Sequence, residues 1–78
     1  MNANPFVTAV MDALEPFVGR MAAETCIRAT AISAGKTSDD LDGTDMQGID
    51  ANIRRLLAPI APASTIDSIV EQIRGRAA

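Results

Sequence analysis

Seventy-eight residues with a formal net charge of −3 and a pI near 4.6 allow one small domain and leave no room for a second. The acidity argues against nucleic acid as a partner, because phosphate binding requires a basic face and the seven Lys and Arg residues are scattered. No histidine is present, which removes the commonest general base and metal ligand, and the single Cys26 excludes an internal disulfide.

The opening Met-Asn-Ala-Asn-Pro lacks the basic start and long apolar run of a signal peptide. Asn4-Pro5 reads as a helix start: an Asn side chain accepts from orphan amides, and Pro at the first helical position loses nothing. Phe6, Val7, Val10, Met11, Leu14 and Phe17 follow at helical spacing. Pro16 lacks the amide that would bond to Asp12, so the first helix is expected over 5–15, with a bend at 16–19. A second helix is expected over 20–34. Ala23, Ile27, Thr30, Ala31 and Ala34 form one stripe, flanked by Ala22, Cys26 and Ala29, so this helix should be touched on more than one side. Glu24 and Arg28 are spaced to pair, and Gly35 suits the left-handed position after the helix.

Lys36 to Gly43 reads as a loop with at most one helical turn, and Leu41 should plug the core. Thr44-x-x-Gln47 matches a capping box opening a third helix over 45–58. Its stripe is Met46, Ile49, Ile53, Leu56, Leu57 and Ile60, at spacings of 3, 4, 3, 1 and 3. Gly48 weakens its first turns by about 1 kcal/mol relative to alanine and marks a close helix contact. Ala58-Pro-Ile-Ala-Pro-Ala63 is a stiff connector. Ser64 is expected to cap a fourth helix over 65–74, with Ile66, Ile69, Val70 and Ile73 inward, Gly75 ending it and Arg76-Ala-Ala as a tail. No β-hairpin signal appears. The fold expected is all-α, a compact bundle of three to four short helices in one domain, 1–78, with a core of Ile, Leu, Val and Met because the only aromatics are Phe6 and Phe17.

Chemistry is sparse. Residues 38–50 hold five aspartates, and helix–acidic loop–helix invites comparison with a calcium-binding EF-hand. Aligning Gly43 with the invariant glycine of that loop makes Asp40 and Asp42 the candidate ligands. The twelfth position is then Ile49, where a bidentate Glu is required, so the expected reading is a solvated loop that favours the next helix start. Cys26 lies among alanines with no activating neighbour and reads as a buried small hydrophobe. Ser33, Ser38 and Ser64 lack a base. No catalytic residue, cofactor or enzymatic activity is assigned. Arg54 is explained by Asp50 four residues earlier, and Arg54, Arg55 and Ala58 at the edge of the third stripe are the candidate interaction residues.

Length, acidity and helix count resemble those of acyl carrier proteins. That family attaches its cofactor to a serine in a D-S-L motif, and the matching helix start here reads Asp45-Met46-Gln47, without the serine. A second resemblance covers more of the chain. Leu14-Glu-Pro-Phe-Val-Gly-Arg-Met-Ala22 is similar to the L-x-x-[FY]-[IV]-G-P-x-A signature of small α-helical accessory domains of bacterial signalling and regulatory proteins, with Arg20 in place of the proline. Ile53 to Leu57 resembles their third helix and Ile66 to Ile73 their last. The resemblance implies a non-catalytic protein–protein module. The function expected is therefore an interaction or regulatory module, cytoplasmic and of bacterial type, which self-associates or docks on a protein partner, with no nucleic acid and no membrane involved. The alternative is a carrier holding a small ligand between alanine-rich helices. A third reading is an acidic helix-turn-helix DNA-binding regulator.

Overall fold

The computed structural model describes residues 4–77, and within them the chain forms four α-helices and no strand. The leader reading of the first three residues and the end of the tail lie outside the described residues. Helix α1 (Pro5–Val18) opens as its sequence requires: the Asn4 carboxamide oxygen accepts from the amides of Phe6 at 3.0 Å and Val7 at 3.2 Å. The same side chain donates through Nδ2 to the carbonyls of Asp39 at 2.7 Å and Leu41 at 2.9 Å, so one residue both caps the helix and holds the distant loop. Helix α1 turns Phe6, Ala9, Val10, Ala13 and Leu14 inward.

Pro16 does not end α1, contrary to the expected boundary at 15. Its missing N–H removes one helical bond near the end, and the Gly19 amide still donates to the Glu15 carbonyl at 2.9 Å. Gly19 alone joins α1 to α2 (Arg20–Ala34), at φ 86° and ψ 167°, and its carbonyl accepts from Ala23 at 3.2 Å. That conformation belongs almost exclusively to glycine. Phe17, expected in the α1 stripe, is 52% exposed because the extra turn carries it past the core. Helix α2 has the bounds expected. It ends at Gly35, in the left-handed region, with Gly35 donating to Ile32 and Lys36 to Ala31, the paired bonds of a Schellman ending. Ala34, at the foot of its stripe, is exposed.

The loop turns twice in short 3-10 segments, Ser38–Asp40 and Gly43–Asp45, and Leu41 between them is buried as expected. The capping box is shifted by two residues from the expected Thr44 and Gln47. The Asp42 carboxylate accepts from the Thr44 amide at 3.0 Å, and Asp45 accepts from the Asp42 amide at 3.0 Å. A carboxylate two residues earlier can close the tight 3-10 turn over Gly43–Asp45. Helix α3 (Met46–Leu57) then buries Ile49, Ile53 and Leu57, with Met46 and Leu56 half-buried. Ile60 leaves the stripe and is 65% exposed, because the helix has ended and the chain turns at Pro59.

Helix α4 (Ala63–Ala77) starts earlier and ends later than expected. The Pro62 carbonyl accepts from Thr65 and Ile66, so Ser64 lies in the first turn and not at the cap. Gly75 stays helical, since one glycine costs a helix only about 1 kcal/mol. Helix α1 packs on α2 and α4, α2 on α3, and α3 on α4. Helix α2 is thus touched from two sides, as its adjacent apolar faces require. The centre is filled by Val10, Leu14, Leu41, Ile49, Ile53, Leu57, Val70 and Ile73, each almost fully buried. Burying each such side chain contributes about 1.5–3 kcal/mol relative to exposure. Among the described residues, no helix is long and apolar enough to cross a membrane.

Candidate functional site

Helices α2 and α3 run antiparallel, and one polar link fixes their register. Thr30 is the one buried polar residue among those described. Its hydroxyl donates to the Cys26 carbonyl at 3.0 Å and accepts from Asn52 Nδ2 at 2.7 Å. Gly48 lies against the Thr30 methyl: a Cβ there would be 3.4 Å from Thr30 Cγ2. Gly48 thus faces α2 at ordinary contact distance, with room for a methyl group. Further along, small side chains on α2 leave space between the helices. The result is an open groove of about 520 Å³, lined by Ala22, Thr25, Cys26 and Ala29 from α2 and by Asn52, Arg55 and Leu56 from α3. From Ala22 to Ala29 it runs about 10 Å, or two helical turns.

The lining is predominantly apolar, and Arg55 is its only charged member among the described residues. Arg55 makes no ion pair among the described residues; Arg28, on the outer ridge of α2, makes none either but faces the α1 side, with Glu24, Ile27 and Val7. Along that ridge Met21 is 81% and Ile32 71% exposed. They are eleven residues apart, three turns along one helix face. The ridge therefore adds apolar surface beside the groove.

The three candidate interaction residues part company. Arg54 turns toward α4, where Nε meets Asp50 and Nη2 meets Asp67 at 2.9 Å. Asp67 first and Asp50 second raise its pKa further above the ordinary guanidinium value. Arg74 of α4 reaches the other oxygen of Asp50 at 3.5 Å. Arg54 thus spends its charge between helices, while its neighbour Arg55 faces α2. Ala58 is exposed at the end of α3, outside the groove lining. The expected Glu24–Arg28 pair is replaced by Arg20–Glu24 at 3.8 Å, also one helical turn apart but on the amino-terminal side.

In the acidic loop, Asp40 accepts from the Thr37 hydroxyl at 2.9 Å and Asp42 from both the amide and the hydroxyl of Thr44. Lys36 Nζ sits 2.9 Å from Asp45 and 3.8 Å from Asp42. The hydrogen bond to Asp45 leads in raising the Lys36 pKa, and the Thr44 donors lead in lowering that of Asp42. Lys36 supplies a positive charge among these aspartates, and among the described residues no three His, Cys, Asp or Glu groups are placed to hold a metal. A count of acids from residue 38 onward overlooks Lys36 because the loop folds it back. Cys26 lies at the groove floor, where burial pushes its thiol up to about 11 and suppresses the thiolate a nucleophile needs.

The groove itself is not legible in the sequence as a site. Its α2 wall shows there only as alanines flanking a stripe, and Asn52 carries no signal at all. No protein-family model matches the chain, and comparison with characterised proteins and with solved structures finds no match.

Proposed function

We propose that this protein is a non-catalytic protein–protein interaction module that receives its partner on the α2–α3 face. The observation that carries the reading is the apolar groove beside the exposed Met21 and Ile32 ridge, with Arg55 at its edge. Alanine-floored grooves between helices admit the larger side chains of another helix. A regulatory role and self-association belong to the same reading. Phe17 and Ile60, both mostly exposed, add apolar surface that a second copy can use.

Light scattering across a concentration series, on the wild type and on Ala29→Glu, tests the self-associating form. Growth with concentration that persists in Ala29→Glu supports pairing through other apolar surface such as Phe17 and Ile60, growth that Ala29→Glu abolishes puts the second copy on the groove, and a strict monomer throughout leaves only a different partner. The carrier reading is favoured by the groove volume, which lies within the range of small-ligand sites of about 300–1,000 Å³. Native mass spectrometry of freshly purified protein decides that alternative, since a carrier retains extra mass.

A further inference from the structure

Resting on the reading that this face receives a protein, we propose that the groove's occupant is an amphipathic helix whose apolar stripe is flanked by carboxylates. Shape sets the first requirement. A channel of two turns between helices accommodates side chains at i, i+3 or i+4, and i+7 of a third helix, and Ala22 and Ala29 leave depth for large ones.

Charge sets the second. The chain carries ten acidic residues against seven basic ones, yet no carboxylate lines this groove. On α3 the one carboxylate, Asp50, lies on the far side of the helix, engaged with Arg54 and Arg74. Arg55 is left as the groove's single charge among the described residues and has no ion-pair partner there. A partner that buries this face must supply the anions. A second copy in a two-fold arrangement brings another Arg55 and no carboxylate to the same face, so like charges oppose it. A free anionic amphiphile meets a different obstacle. Ligand sites of that class enclose about 70–90% or more of their ligand, and this groove is open along one side.

The test uses the full-length, nitrogen-15-labelled chain and three short stapled helical peptides. All carry leucines at i, i+3 and i+7; their flanking positions are Glu in one, Gln in the second and Lys in the third. Amide shifts should concentrate at residues 22–29 and 52–56, with the Glu peptide binding about fivefold to tenfold more tightly than the Lys peptide, the scale of one or two rim charge pairs. Arg55→Glu should invert that order and Arg55→Gln should erase it. Both replace an exposed side chain, and a circular dichroism spectrum matching wild type checks the fold.

Equal binding of all three peptides at the groove overturns the carboxylate requirement and leaves the interaction reading intact. Shifts elsewhere, or groove shifts that grow with protein concentration alone, overturn the proposed occupant, the latter in favour of a second copy. If no peptide moves these amides at millimolar concentration while sodium dodecanoate does, the occupant and the interaction reading both fail and the carrier reading replaces them.

Discussion

Gly48 offers the sharpest stability test of how α2 meets α3. Gly48→Ala places a methyl group 3.4 Å from Thr30 Cγ2, at the near edge of ordinary van der Waals contact. The Thr30 methyl cannot rotate away without cost, because its hydroxyl is held by Cys26 and Asn52 at 3.0 and 2.7 Å. Two effects compete. Alanine in a helix interior is favoured over glycine by about 0.5–1 kcal/mol. Real overpacking costs about 1–3 kcal/mol, but a contact at this distance needs little displacement. The helix preference therefore wins, and the variant should gain about 0.5–1 kcal/mol. For a domain of this size that raises Tm by about 2–8 °C. Thermal and urea denaturation of wild type, Gly48→Ala, Thr30→Ser and the double variant read the balance. Thr30→Ser keeps the hydroxyl and removes the methyl, so the gain from Gly48→Ala should agree in both backgrounds within about 0.5 kcal/mol. A loss of stability for Gly48→Ala in wild type that turns into a gain in the Thr30→Ser background would show instead that the two methyl groups collide.

Three further outcomes follow from individual residues. Gly19→Ala meets no atom within 4 Å, so its cost is backbone strain alone, about 1–3 kcal/mol, seen as a Tm lower by several degrees; an unchanged Tm contradicts the conformation at the α1–α2 junction. Cys26 should react with a disulfide reagent far more slowly in the native protein at neutral pH than in denaturant, because its thiol is held neutral by burial; equal rates would count against a closed groove floor. The Asp42 pKa is depressed in the fold, so the stability it contributes is present above its unfolded value of about 4 and is lost as pH falls through the lower folded value. Carboxyl NMR should show Asp42 titrating below the ordinary aspartate range, and Asp42→Asn should remove its share of the acid dependence; titration at or above that range would contradict the Thr44 bonds.

The fold is largely legible in the sequence because periodic apolar stripes and glycine endings are local signals. Helix α2 and its Gly35 ending illustrate this, and Leu41 is readable as a plug because it stands alone among polar residues. The signals that mislead are also local. Pro16 announces a stop, yet its neighbours keep the helix going for a further turn, and Ser64 resembles a cap that the Pro62 carbonyl has already made unnecessary. Pairings across long separations leave no such mark. Asn4 reaching Asp39 and Leu41, Asn52 reaching Thr30, and Arg54 and Arg55 diverging all depend on how helices cross. The groove is of that kind: four residues of one helix and three of another, none distinctive alone.

If the α2–α3 face receives a protein partner, it is covered in the protein's natural setting. Ala29→Cys, at the exposed wall of the groove, and Glu71→Cys, on exposed α4, provide the direct measurement through maleimide labelling rates. The cysteine introduced at position 29 should be labelled several-fold more slowly in extract of the cells that naturally express the protein than in buffer, while the one at position 71 should be labelled equally in both. Equal rates at position 29 in extract and buffer would contradict a covered face.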